Sequence, residues 1–247
     1  MSEIKRKNYK SLSKSEYKLV EFVLENELKV FTRADMEKNL GFDTENCYRI
    51  ISGLRKKDML ESPIRGYYVL DIPNYNVSLY QVATRIYWPS YISFWTALSY
   101  HSLTDQLPRT VYVVNAENSS EIEFRDHRID FVRFKPEYIF GYEDSNGFIA
   151  DPEKAVIDSL HLPRYSGGIT EVEKALERDL NIQKLEEYAE NMGISAVKKR
   201  LKYLMQRKAI DNSLEVSGSY VKLDPSKGDG KRIKNCLIED NVYKGRE

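Results

Sequence analysis

The stretch Gly41-Phe42-Asp43-Thr44-Glu45-Asn46-Cys47-Tyr48-Arg49-Ile50-Ile51-Ser52-Gly53-Leu54-Arg55-Lys56-Lys57 decides how the chain is read. Gly41 suits the left-handed turn that follows a helix, and Asp43 or Thr44 can cap the next one. Cys47, Ile50, Ile51 and Leu54 recur at spacings of three and four, so they form the inward stripe of a helix ending near Lys57. Thr44, Glu45, Asn46, Tyr48, Arg49, Ser52, Arg55 and Lys56 are left facing outward.

The flanking residues extend the pattern. Ser13 or Ser15 can cap a helix carrying Leu19, Val20, Phe22, Val23 and Leu24, closed at Asn26. Val30-Phe31 is a short extended piece, and Thr32 caps a second helix from Arg33 to Leu40. Past Lys57, Met59-Leu60-Glu61 reads as a strand, Ser62-Pro63-Ile64-Arg65-Gly66 as a turn, and Tyr67-Tyr68-Val69-Leu70 as a second strand. Helix, strand, helix, turn, helix, hairpin is the order of a winged helix-turn-helix, placed at residues 1–72. Arg and Asn read guanine and adenine edges bidentately, while Ser, Thr and Tyr suit phosphate. The candidate DNA contacts are therefore Arg33, Thr44, Asn46, Tyr48, Arg49, Ser52, Arg55 and Lys56, with Arg65 at the wing tip. Glu45 opposes phosphate, and the other reading of this module is a protein-interaction surface with a solvated polar face.

Charge divides the chain unevenly. Its 38 Lys and Arg balance 38 Asp and Glu, but residues 1–70 carry a net +3, residues 71–197 a net −9 and residues 198–247 a net +6. Polyanion contacts, if any, belong to the basic ends. A 41% apolar composition supplies a real core and argues against global disorder. No run approaches the ~18 apolar residues of a membrane span. The basic stretch Met1 to Lys7 has no apolar segment behind it, so it is not a secretory signal. Cys47 and Cys236 are far apart and in no metal-type spacing. The expectation is a soluble, cytoplasmic protein without a metal or another cofactor.

The second region, 73–247, reads as mixed α+β. Residues 73–170 are a small sheet with helices. Expected there are a helix from Leu79 to Tyr87, a helix Phe94 to Tyr100 capped by Ser93, and a strand around Val111 to Val114. A hairpin of 120–124 with 128–134 follows, then a short strand at Tyr138 to Phe140. Asp151-Pro152-Glu153 marks a strong helix start. Asp151, Glu153 and Asp158 could be imagined as a nuclease site. The first two are better explained by helix-start electrostatics, and Asp158 as a polar surface position. His101, His127 and His161 have no partner at ligand spacing, and no nucleotide-binding loop or nucleophile motif occurs. No catalytic residue is assigned, and the chain is expected not to be an enzyme.

Residues 171–225 are helical. Thr170 caps Glu171 to Leu180, a further helix from Asn181 stops at Gly193, and Ser195 caps Ala196 to Lys208. That last helix places Val197, Leu201, Leu204 and Met205 inward. Lys198, Lys199, Lys202, Arg207 and Lys208 face outward, with Arg200 near the edge. Strands at Leu214 to Val216 and Tyr220 to Leu223 complete a faint echo of the N-terminal order. Gly41 to Leu60 is 19 residues and Gly193 to Ile210 is 17. The echo suggests a second helix-turn-helix-like part, followed by a Gly- and Lys-rich tail at 226–247. The basic face suits DNA, an acidic protein or an RNA-bearing complex, or is simply a solvated helix face.

Several segments in order carry a likeness: Tyr91-Ile92-Ser93-Phe94-Trp95-Thr96-Ala97-Leu98, Leu103-Thr104-Asp105-Gln106-Leu107-Pro108, Thr110-Val111-Tyr112-Val113-Val114, Ala150-Asp151-Pro152-Glu153-Lys154-Ala155 with Ile157-Asp158, Ala196-Val197-Lys198-Lys199-Arg200-Leu201-Lys202-Tyr203-Leu204, and Tyr220-Val221-Lys222-Leu223-Asp224-Pro225. Over nearly its full length the chain resembles the AbiE-type (AbiEi-like, type IV) abortive-infection antitoxins, also called transcriptional regulators of viral defence systems. It departs from them at Lys202 and Ser102, where the family commonly has Gly. The resemblance implies a repressor that binds inverted repeats in double-stranded DNA upstream of its own operon. It also implies that residues 73–247 counteract a cognate nucleotidyltransferase-like toxin in phage defence, directly or functionally. The antitoxin surface would be Lys198, Lys199, Arg200, Lys202, Arg207 and Lys208. Two other readings stand beside it: a ligand-responsive winged-helix regulator without a toxin, and a winged-helix protein with a nuclease-like domain.

Overall fold

A computed structural model describes residues 12–243; the basic stretch Met1 to Lys7 and the last four residues of the tail lie outside it. The chain is an α+β protein.

In the first unit, Ser13 rather than Ser15 caps helix α1 (Lys14–Glu25). Its Oγ accepts from the Glu16 amide at 3.3 Å, and the Glu16 carboxylate accepts from the Ser13 amide at 2.6 Å. After β1 (Phe31–Thr32), Thr32 and Asp35 form the same reciprocal box at the head of α2 (Arg33–Leu40). Gly41, at φ 67°, takes the left-handed turn that its position implies. Asp43 then caps α3 (Thr44–Lys56), accepting from Asn46 N at 2.7 Å. Strands β2 (Leu60–Glu61) and β3 (Tyr67–Leu70) form an antiparallel hairpin, and β1 joins β3 to give the order β1-β3-β2. The stripe Cys47, Ile50, Ile51 and Leu54 is buried against Leu19, Val20, Val23, Phe31 and Met36. Leu24 differs from expectation: it stands exposed, one residue past the buried stripe.

The second unit is built on a six-stranded sheet. Its strands are β4 (Ser90–Ile92), β5 (Thr110–Asn115), β6 (Ser120–Phe124), β7 (His127–Arg133), β8 (Tyr142–Asp144) and β9 (Phe148–Ala150), in the order β6-β7-β5-β4-β9-β8. The β6–β7 hairpin matches the alternating pattern of its sequence. Its turn residues Arg125 and Asp126 both have positive φ, which suits the twist of the flanking strands. From that turn, Arg125 Nε donates to Glu61 of β2 at 2.9 Å and Nη1 donates to the Val77 carbonyl at 2.6 Å, tying the two units together.

Some expectations are corrected here. The helix at Leu79 is α4 (Leu79–Ala83) and ends before Tyr87; the chain turns off it toward β4, a strand that the sequence pattern does not reveal. Residues 138–140 are no strand. Pro136 opens a 3₁₀ turn over Pro136–Tyr138 instead. The helix assigned to Thr170 starts earlier, as α7 (Ile169–Ala175), because Gly167 and Gly168 at φ 72° and 95° swing the chain into it. Leu214 to Val216 is irregular. The last sheet, order β10-β12-β11, is made instead from β10 (Val221–Lys222), β11 (Lys231–Ile233) and β12 (Ile238–Asp240), with β10 parallel to β12. The tail is therefore structural: Cys236 and Ile238 are core residues, and Tyr203 OH donates to Asp240 at 2.6 Å.

Helices α5 (Phe94–Tyr100) and α6 (Pro152–His161) pack on the sheet, α8 (Ile182–Met192) and α9 (Ser195–Arg207) pack against α6, and every residue of α6 from Glu153 to Leu160 is buried. Asp158 is consequently not the surface position that its type suggests. It is fully buried and receives Tyr91 OH at 3.0 Å and Ser93 Oγ at 2.7 Å, both from the β4 side, and it pairs with Lys154 one turn back on its own helix. Ser93 spends its hydroxyl on this carboxylate and makes no cap bond for α5. Lys154 is equally buried, with its ammonium 4.6 Å from the centre of the Phe140 ring. Burial pushes the Lys154 ammonium down and the adjacent Asp158 carboxylate opposes that shift. Asp158→Ala leaves a cation in the core with no counter-ion and should cost ~3–5 kcal/mol, read as a lower urea midpoint. The paired replacement Lys154→Met with Asp158→Leu should recover much of that loss.

Candidate nucleic-acid interface

Helix α3 is fixed by its buried stripe, and this fixes which residues face out. Thr44, Tyr48, Arg49, Ser52, Arg55 and Lys56 are exposed, Asn46 is half-buried, and Arg65 is exposed at the β2–β3 turn. These are the residues that the sequence marks as candidates, and the fold brings them onto one face. Arg33, at the start of α2, joins them: its guanidinium lies 5.6 Å from the Tyr48 ring centre and its Nε is 3.5 Å from Glu37. Thr44 Oγ1 donates to the same Glu37 at 2.7 Å. Arg49 donates to Asn46 Oδ1 at 2.9 Å, which orients both side chains. Arg55 lies over Tyr68 of β3, 5.6 Å from the ring centre.

A cleft of about 420 Å³ runs between α3 and the hairpin, lined by Tyr48, Ser52, Arg55, Lys56, Arg65 and Tyr68 among others. A second, of about 720 Å³, runs along the other side of α3 between it and the first turn of α1. Ser52 and Lys56 line both, so they form the ridge between them. Lys14 also lines the second cleft; it stands on a different helix, where no spacing within α3 reveals it. The face carries acids too, Glu37 and Glu45, and the first is engaged by Arg33 and Thr44.

Gly53 sits at the base of the second cleft. A side chain there would run into the Glu16 carboxylate, which reaches α3 to meet Lys57 Nζ at 2.5 Å. Burial pushes the Glu16 carboxyl up, but its bonds from Lys57 and from Ser13 outweigh that and hold it below its ordinary value.

The basic helix α9 is corrected more heavily. Lys199 and Arg200 are not outward: they are 2% and 5% exposed. Lys199 Nζ donates to Ser219 O at 2.6 Å, and Arg200 donates to Leu160 O at 2.7 Å and Lys222 O at 3.1 Å. Lys202 donates to Leu214 O at 2.6 Å. Lys198 pairs with Glu190 at 2.6 Å, Arg207 with Glu173 at 2.9 Å and Lys208 with Glu177 at 2.5 Å. Three of the six cations thus satisfy backbone carbonyls outside α9, and three meet acids of α7, its C-terminal turn and α8. Helical periodicity alone hides this, because 214–223 folds back over the polar side of α9. Ser195 is the first helical residue and Ile194 occupies the cap position, so the helix also starts one residue early.

The acids of α6 are engaged as well. Asp151 makes no cap bond; it accepts from Tyr188 OH at 2.6 Å and pairs with Lys184 at 3.0 Å. Glu153 accepts from Asn181 N at 2.9 Å.

No protein-family model and no curated protein sequence matches the chain. Among solved structures, the RV2827C protein from Mycobacterium tuberculosis is similar, with a TM-score of 0.58 at 14% identity, over 94% of this chain and 92% of that one. At such identity the likeness concerns the fold alone, and it extends across both units.

The Glu16 bonds carry a pH signature. A carboxyl held below its unfolded value contributes stability above that unfolded value and loses it as pH falls through the folded one. Glu16→Gln should therefore lower the urea midpoint of the first unit at pH 7 and differ little from the parent near pH 3. A difference that persists unchanged at pH 3 would show that the carboxylate charge is not what holds α1 to α3.

Proposed function

We propose that this chain is a winged-helix DNA-binding repressor that acts on the operon encoding it, and that it also counteracts a nucleotidyltransferase-like toxin in phage defence. It does so as a binding protein rather than an enzyme. The observation that carries the DNA reading is the ridge of α3. Arg49, Ser52, Arg55 and Lys56 stand out between two clefts, with Arg65 of the hairpin beside them. The order of elements in residues 12–72 and the three-stranded sheet closing on α3 support placing that ridge in a major groove. Arg49 arrives oriented by Asn46, and Arg55 lies over Tyr68, so neither has to be ordered from a free state on binding.

Counteraction of a toxin is assigned to residues 73–247 on the sequence resemblance. The geometry changes where it is sought. With Lys199, Arg200 and Lys202 committed to backbone carbonyls, reversing their charge is a folding perturbation, so the assigned surface narrows to Lys198, Arg207 and Lys208, which stay partly exposed within their ion pairs.

The test is fluorescence anisotropy on a labelled duplex from immediately upstream of the gene and on a scrambled duplex. The parent should prefer the upstream duplex by ~10³ or more. Arg49→Ala and Arg55→Ala should each weaken that binding by ~1–3 kcal/mol and relax the preference. When co-expressed with the neighbouring toxin, both variants should still protect cells. Equal binding of the two duplexes by the parent would reduce the face to a generic polyanion surface, and loss of protection would place both activities on one site.

A further inference from the structure

The last sheet has two faces of different chemistry. In register, Val221, Ile238 and Ile233 form one row across β10, β12 and β11, and Lys222, Glu239 and Arg232 form the next. Residues opposite each other on neighbouring strands point to the same side, and successive residues along a strand point to opposite sides. The first row faces inward: Ile238 is fully buried, and Val221 and Ile233 pack against the core. The second row faces out. By the same alternation Tyr220 joins it just ahead of β10 and Lys234 just after β11, and Lys227 stands exposed in the loop between those strands.

This outer face holds more positive charge than its own acids meet. Lys222 pairs with Asp229 at 3.0 Å, and Lys227 with Asp224 at 3.8 Å. Glu239 lies between Lys222 and Arg232 in the row, but its carboxylate accepts from the Gly230 amide at 2.7 Å. Among the described residues, Arg232 and Lys234 pair with no acid. Two more cations stand behind β10. Lys199 donates to Ser219 O and Arg200 to Lys222 O, so nearly buried positive charge lies under the chain on both sides of Tyr220. Burial pushes both down; Asp224 opposes that shift at Arg200, and no acid opposes it at Lys199. The patch is a local exception in its unit, since residues 71–197 carry a net −9.

The face also offers a stacking surface. The Arg232 guanidinium lies 5.2 Å from the centre of the Tyr220 ring, which holds it against the sheet. Aromatic rings and guanidinium planes are the surfaces on which unpaired bases stack. A duplex hides the faces of its bases and is read by a helix or ribbon that enters a groove. Strands of two and three residues form no such ridge. An acidic peptide meets the cations but leaves the ring without a role.

We propose that the outer face of this sheet binds a single-stranded nucleic acid. Lys222, Lys227 and Lys234 meet its sugar–phosphate chain, and Tyr220 with Arg232 stacks a base. The site is separate from the α3 ridge and does not depend on the DNA reading given to that ridge.

The experiment uses the full chain. Anisotropy is measured on labelled oligouridylate and oligothymidylate of ~12 nucleotides, and on the scrambled duplex, from ~50 to ~200 mM salt. The parent should bind at least one single strand more tightly than the duplex; the tighter probe tells RNA from DNA, and either supports the proposal. Each phosphate neutralised on a single strand contributes ~0.7 to the log–log salt slope, so Lys227→Gln with Lys234→Gln should make it shallower by ~1.4. Tyr220→Leu should weaken binding ~5-fold or more, and Tyr220→Phe should bind as the parent. Arg232→Lys, which keeps the charge and the fold, should keep the slope and lose affinity. Binding of the upstream duplex should not change in any of them. If the parent binds neither single strand, or if affinity and slope survive the double replacement, the proposal is wrong whatever the α3 face does. If the double replacement weakens the scrambled duplex as much as the single strands, and Tyr220→Leu weakens neither, the face takes any polyanion and the assignment to unpaired bases is overturned. Loss of the upstream duplex in the same variants would make this face part of one duplex site, and overturn the assignment equally.

Discussion

The ion pair between Lys154 and Asp158 is the contact on which the second unit depends. Both groups are fully out of water, and neither is tolerable there alone. Asp158 collects Tyr91 and Ser93 from the β4 side, so one carboxylate joins the central helix to the middle of the six-stranded sheet. Lys154 sits among the rings of Tyr91, Phe134 and Phe140, and these come from three separate stretches of chain. A helix buried over eight consecutive residues has no solvent face to fix its rotation. The pair does so, because only one rotation of α6 brings Asp158 to the two hydroxyls.

That explains what the sequence reveals of this molecule and what it conceals. In the first unit the apolar stripe of α3, the caps Ser13, Thr32 and Asp43 and the turn at Gly41 are local signals, and each is where its chemistry implies. The outward face of α3 follows from the stripe, so the candidate contacts are legible too. In the second unit the signals fail wherever a partner is distant in sequence. Asp158 looks like a surface acid because its partners at positions 91 and 93 lie more than sixty residues away. β4, β8 and β9 are three residues each, too short for any periodicity to show, and they exist because the sheet completes them. Lys199 and Arg200 have the spacing of an exposed face; the return of residues 214–223 across α9 and, for Arg200, the carbonyls at the end of α6 explain their burial.

The two units have separate cores but are not independently hung. Val69 of β3 belongs to the larger core, and Arg125 reaches from the β6–β7 turn to Glu61 of β2. The hairpin beside the α3 ridge is thereby braced from behind. The RV2827C protein has a comparable fold over nearly its whole length, so the likeness takes in both units and not one module alone.

The pairing of α9 alters what the charge arithmetic means. By sequence, two basic segments flank an acidic one. In the folded chain Lys198, Arg207 and Lys208 are matched with Glu190, Glu173 and Glu177, so much of the last segment's positive charge is spent against the middle segment's acids. Exposed cations remain on α3, at Arg49, Arg55 and Lys56, and on the C-terminal segment, at Lys227, Lys231, Arg232 and Lys234. A chain of zero net charge thus still carries local positive fields, and salt confines each of them to about 8–10 Å, so only a charged surface that comes that close senses it.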